Sequence, residues 1–151
     1  GLLVFRRMSA GETRIVFLNE AGTTFFVLAI TPAGYQYLSL YKKLDRKAVR
    51  KALAKDMGML LGKGLYQSAG TWHSFADSSQ LKFTLPRKGK VVYDMKETDS
   101  TVQRIENTGR RKKIVRIEET YSGTERIPES IFVQHLQFRF SIQMKRIHEH
   151  E

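Results

Sequence analysis

The chain has no cysteine, which excludes disulfides, thiolate metal sites and a cysteine nucleophile and leaves the redox compartment open. It has no apolar run of about eighteen residues, so no stretch is suited to cross a bilayer as a helix. HExxH, GxSxG, P-loop and dinucleotide fingerprints are all missing, and with them any positive case for an enzyme or a cofactor. Acidic residues are the scarcer charge: 15 Asp and Glu stand against 26 Lys and Arg, for a formal net charge of +11. That excess implies attraction to something anionic, whether nucleic acid, lipid headgroups or an acidic partner.

What is present is a core. With 41% hydrophobic and 11% aromatic residues over 151 positions, the composition argues against disorder and for one domain spanning residues 1–151. The one strong helix signal runs from Asp45 to Gly62. Asp45 suits an N-cap, and Gly62 follows the last apolar residue where a left-handed cap ends a helix. Val49, Leu53, Met57, Leu60 and Leu61 recur at three- and four-residue spacing and form one apolar stripe. Arg46, Lys47, Arg50, Lys51 and Lys55 occupy the other faces. Such a helix either packs a filled core or lies as a lid over an open apolar concavity.

The rest reads as strand. Leu2 to Met8, Glu12 to Asn19, Thr23 to Ile30 and Tyr35 to Leu44 precede the helix, separated by turns at Ser9-Ala10-Gly11, Glu20-Ala21-Gly22 and Thr31-Pro32-Ala33-Gly34. Thr23 to Ile30 is apolar on both faces and so needs cover on both sides, or lines a cavity on one. Lys63 to Gln80 reads as a long irregular connection. Leu81 to Leu85, Lys90 to Lys96, Thr101 to Glu106, Lys113 to Tyr121, Ile127 to His135 and Leu136 to Lys145 follow as strands. The fold class is therefore mainly β with one inserted helix. About nine antiparallel strands form a strongly curved sheet or incomplete barrel, capped by the helix.

Three other groups carry charge or metal-binding types. His148-Glu149-His150-Glu151 alternates like a weak metal site, but a terminus of this kind reads as solvated tail. Asp94, Glu97 and Asp99 cluster near a turn with Lys96 and Arg104 at hand, which reads as surface ion pairing. Arg110, Arg111, Lys112 and Lys113 fill a hairpin turn, with Arg87, Lys88 and Lys90 in another. Phosphates would find such clusters, yet the aromatics that a single-strand binder stacks on bases fall mostly within strands.

Two stretches, Arg14 to Phe26 and the helix with its approach from Leu44 to Gly62, resemble LolA/LolB-like bacterial envelope lipoproteins, in an uncharacterised branch. Glu125 to Ile131 and the Leu136 to Met144 strand continue the likeness. The resemblance implies a half-barrel whose apolar concave face is covered by helix and binds acyl chains of lipid or acylated protein. It implies a lipoprotein on the periplasmic face of the outer membrane, and an N-terminal signal and lipidation segment beyond the sequence given. One departure concerns delivery, since the short turns here carry no large apolar side chain to touch a bilayer. The expected cavity residues are Phe17, Phe25, Phe26, Leu28, Phe138 and Phe140 on strands and Val49, Leu53, Met57 and Leu60 on the helix. Arg110, Arg111, Lys112 and Lys113 would hold anionic headgroups, a membrane surface or an acidic partner. The alternatives are a nucleic-acid-binding module using the basic hairpins, and a structural envelope lipoprotein with a filled core.

Overall fold

The computed structural model describes residues 1–9, 11–63, 65, 70–74, 80–86, 90–137 and 140–148, with the backbone alone for Gln80, Leu81, Leu85, Pro86 and Phe140. Among these residues the chain is mainly β with one α-helix. It forms two antiparallel sheets, where the sequence had suggested one, and neither closes into a barrel. Alternation tells which face a residue takes but not which strand lies beside it, so the division could not be seen in advance. Residues cluster into two compact units, Gly1–Lys63 and Gly64–Glu151.

The first unit is a four-stranded meander of β1 (Leu2–Ser9), β2 (Glu12–Leu18), β3 (Thr24–Thr31) and β4 (Gly34–Leu40), then α1 (Lys47–Leu60). A single 3-10 turn, Lys42–Leu44, joins β4 to α1, so the expected strand from Tyr35 to Leu44 stops early. The expected N-cap is also displaced. Arg46 is the N-cap and makes no side-chain capping bond, while Asp45 caps the 3-10 turn and accepts from Arg50 Nη1 at 3.4 Å. Asp45 sits one residue too early because the 3-10 turn uses it first. The C-terminus behaves as expected. Gly62 adopts φ 65°, Lys63 N–H bonds Gly58 C=O at 2.8 Å and Gly62 N–H bonds Met59 C=O at 2.9 Å. This paired closure satisfies carbonyls that would otherwise be left over.

The core of this unit lies between α1 and one face of the sheet. Register places Leu3, Phe17, Phe26 and Leu40 in one row across the strands, and Phe5, Ile15, Leu28 and Tyr37 in the next. Ile15, Phe26, Leu28, Ile30, Ala54 and Met57 are buried together there. Phe25 is the extra residue at a bulge in β3, so its ring joins the same cluster as Phe26 instead of facing the opposite way. The bulge moves Phe25 to the helix side, while Val27 and Ala29 keep the other face of β3 apolar.

The second unit is a seven-stranded meander. Its strands are β5 (Thr71–Ser74), β6 (Gln80–Pro86), β7 (Lys90–Lys96), β8 (Val102–Thr108), β9 (Lys113–Thr120), β10 (Ser130–His135) and β11 (Phe140–Lys145). β5 lies within the stretch read from sequence as irregular. Leu136 and Gln137 form a turn, so the alternation from Leu136 to Lys145 is not one strand. No Gly, Pro, Asn or Asp marks that turn, and the alternation runs straight through it. Trp72, Phe83, Tyr93, Ile105, Ile117, Val133 and Ile142 are register partners in turn across all seven strands. The five from Phe83 to Val133 are at most 1% exposed. On the reverse face Lys82, Asp94, Arg104 and Glu118 alternate in sign along a parallel row, with Lys82–Asp94 at 3.4 Å and Arg104–Glu118 at 3.9 Å. Among the described residues no helix is long and apolar enough to cross a membrane.

Candidate functional site

The helix-covered face of the first sheet gathers most of the expected cavity residues. Phe17, Phe25, Phe26, Leu28, Leu53, Met57 and Leu60 all belong to one packed cluster, with Phe26, Leu28 and Met57 buried. Phe17 stacks on Phe25 with ring centres 5.3 Å apart and meets Phe26 at 5.7 Å, while Tyr37 stands edge-on to Phe26 at 6.3 Å. Offset and edge-on rings at these separations suit their quadrupoles. Val49 is half-buried on the N-terminal half of α1, outside this cluster. Phe138 lies outside the described residues. Phe140 belongs to β11 of the second unit, where its backbone alone is described.

The helix is held unevenly over this face. Lys47, Ala48, Arg50, Lys51 and Ala52 are exposed, whereas Ala54, Asp56, Met57, Gly58 and Met59 are buried. Burial is thus concentrated toward the end that carries the glycine closure. At the other end the Tyr37 hydroxyl donates to Arg50 C=O at 2.8 Å. Burial pushes the Tyr37 phenol up to about 12, with Tyr35 adding to the rise, so it remains a donor at neutral pH. The buried Asp56 was not foreseen, since a lone acid among Lys and Met residues reads as solvent-facing.

The opposite face of the same sheet is organised differently. A cavity of about 440 Å³ opens beside Glu12, Arg14, Ala29, Thr31, Gln36 and Leu38. Arg14, Ala29 and Gln36 are direct register partners, and Ala29 is short enough to form a floor between two longer side chains. Leu38 is the extra residue at a second bulge, which aims it to this side. Arg14 Nε donates to Glu12 Oε1 at 2.7 Å, and Arg6 lies directly across from Arg14 on β1. The sequence offered a signal that went unused, because Glu12, Arg14, Val16 and Leu18 share one face of a period-two strand. No family model, curated protein or solved structure matches this chain. The residues themselves carry the functional argument.

In the basic hairpin the four expected residues divide. Arg110, Arg111 and Lys112 are exposed in the turn, whereas Lys113 begins β9 and pairs with Glu106 Oε2 at 2.9 Å. Arg116 Nε approaches the same carboxylate at 3.2 Å. Burial alone would raise Glu106, but the bonds and charges of Lys113 and Arg116 outweigh it and hold the carboxyl below its usual range. Lys113 is therefore committed to an internal pair.

The remaining candidates are accounted for locally. Asp94 pairs with Lys82, and Asp99 accepts from the Thr101 hydroxyl at 2.6 Å, which lowers its pKa. His148 Nε2 lies 3.0 Å from Glu129 Oε2, and the last three residues fall outside the described chain. Among the described residues no group of three His, Cys, Asp or Glu is placed to hold a metal ion. Glu119, like Asp56, is an acid withdrawn from solvent: it is 7% exposed on the buried face of β9, with Ile131 as its register partner. Burial pushes its carboxyl up to about 7, against a 2.5 Å bond from the Tyr121 hydroxyl that pulls it down.

Proposed function

We propose that this protein is a non-enzymatic, LolA/LolB-like binder of the acyl chains of lipids or acylated proteins. It acts as a lipoprotein on the periplasmic face of the bacterial outer membrane. The finer fold that goes with this reading is an incomplete barrel with a helical cover. The observation that carries it is the uneven hold of α1 on the apolar face of β1–β4. A cover packed along its C-terminal half, with an exposed and uncapped N-terminal half, has the asymmetry a hinged lid needs. Raising it lifts Leu53 away and exposes Phe17, Phe25, Phe26 and Leu28 as one apolar floor. Each methylene buried there contributes about 0.8 kcal/mol, so a single acyl chain replaces the contacts the helix gives up.

The test is displacement of a fluorescent fatty-acid probe from the purified protein at low and high salt. Saturable binding that survives high salt is expected, together with its loss in a folded Leu53→Glu variant. No binding at either salt, or full binding in Leu53→Glu, removes the helix-covered face from consideration and leaves a filled core.

A further inference from the structure

We infer that the face of the four-stranded sheet turned away from α1 is a docking surface for an anionic phospholipid bilayer. Two bands cross this face. One is apolar: Leu2 pairs with Leu18, Val4 pairs with Val16, and Val16 pairs in turn with Val27. The other is cationic, with Arg6 directly opposite Arg14. In this band Leu2 and Val4 are left in water at 38% and 39% exposure, and Leu38, beside the cavity on the same face, is 48% exposed. A contiguous apolar patch on a sheet face marks an interaction surface more often than chance exposure does.

Charge complementarity selects the occupant. Like charges directly opposite on neighbouring strands repel, so a pair of guanidinium groups there is an unfavourable arrangement without an anion. Glu12 neutralises Arg14 in part through its 2.7 Å bond and leaves the Arg6–Arg14 pair cationic overall. Phosphate diesters suit guanidinium forks, which bind two oxygens at once. The two bands stand two residues apart along each strand, about 7 Å at the usual rise. That matches the shallow depth, on the order of 5–10 Å, between headgroup phosphates and the upper acyl region. A tilted approach therefore sets the valines and leucines among the acyl chains while the arginines stay at phosphate level. The cavity of about 440 Å³ beside Arg14 lies in the cationic band, where one headgroup fits. The net charge of +11 adds long-range attraction to such a surface. This surface does not involve α1, so it stands or falls separately from acyl binding under the helix.

The experiment is co-sedimentation of the full chain with phosphatidylcholine vesicles, with and without phosphatidylglycerol. Salt-sensitive binding to the anionic vesicles alone is expected. Arg6→Gln with Arg14→Gln should weaken it on the order of 30-fold. Leu2→Ser with Val4→Ser, which keeps the charge, should weaken it as well. Equal loss in Arg111→Gln with Lys112→Gln would mean that charge anywhere suffices, and would overturn the proposal. So would equal binding to neutral vesicles, or full competition by monomeric short-chain phosphatidylglycerol, which indicates a soluble headgroup ligand. Self-association that Val4→Ser disrupts would assign the face to a second copy of the chain. Fatty-acid displacement and vesicle binding are read separately on the same protein, so failure of one leaves the other interpretable.

Discussion

The Tyr37 hydroxyl donates a 2.8 Å bond to Arg50 C=O, and the Arg50 guanidinium stands 5.7 Å from the centre of the same ring. One side chain on β4 thus meets one residue of α1 twice, through a hydrogen bond and through the face of its ring. Tyr37→Phe keeps the ring and removes the bond, at a cost of about 1 kcal/mol. Urea unfolding measures that loss. If α1 is a hinged cover, the same variant also takes up the fatty-acid probe faster in stopped-flow, because the fastening at its free end is gone.

Glu119 makes stability depend on pH in an unusual direction. Its folded carboxyl titrates near 7 against an ordinary value of 4.5, because burial penalises the charged form. Between those values the folded state keeps a proton that the unfolded state has released, so stability falls as pH rises. The contribution is fully present below about pH 4.5 and is lost as pH rises through about 7. A shift of that size corresponds to roughly 3 kcal/mol. Glu119→Gln should remove this slope, leaving the variant more stable than the parent above about pH 7. Thermal unfolding across the range reads both curves, and parallel curves would show that Glu119 titrates normally.

Gly70 has no room for a side chain. A Cβ there would lie 1.8 Å from Cζ of Phe83, whose ring is fully buried in the row that crosses the second sheet. Gly70→Ala forces the ring or the strand aside and costs about 1–3 kcal/mol. Phe83→Leu is damaging alone but shortens the side chain Gly70 meets. A double-mutant cycle should therefore show Gly70→Ala costing less in the Phe83→Leu background.

The basic hairpin separates two kinds of charge. Arg111→Glu with Lys112→Glu alters exposed turn residues, and its effect on unfolding should stay within about 0.5 kcal/mol. Lys113→Ala removes one of two cations from Glu106, and the carboxyl should then titrate higher, which NMR resolves directly. If single-stranded oligonucleotides bind, affinity should fall steeply with salt and weaken further in the Arg111 and Lys112 variant. An affinity insensitive to both excludes the hairpin as a nucleic-acid site.

Local structure was legible where one physical signal dominates. Gly62 ends the helix as its position implies, and β7 occupies Lys90–Lys96, as its alternation indicates. Seven of the ten expected apolar site residues meet in one cluster, since helical spacing and strand alternation each point one face inward. Partnership between strands was not legible. Nothing in Leu136 or Gln137 announces a turn, and nothing in the alternation shows that β1–β4 pair only among themselves. The displaced cap at Arg46 had the same origin, because a 3-10 turn and an α-helix compete for the same Asp45. The cationic pair of Arg6 and Arg14 depends on register, which no single strand contains.

In both sheets every strand lies beside its neighbours in the chain, from β1 through β4 and from β5 through β11. Assembly can therefore follow the order of synthesis. Each strand leaves the ribosome to find the edge it needs already formed, and α1 emerges only after its four-stranded bed is complete. Loops closed this way are short, so the entropy of joining distant segments is never met all at once. Only the latest strand's edge waits for a partner at each step, which limits the interval in which a nascent chain can aggregate through it.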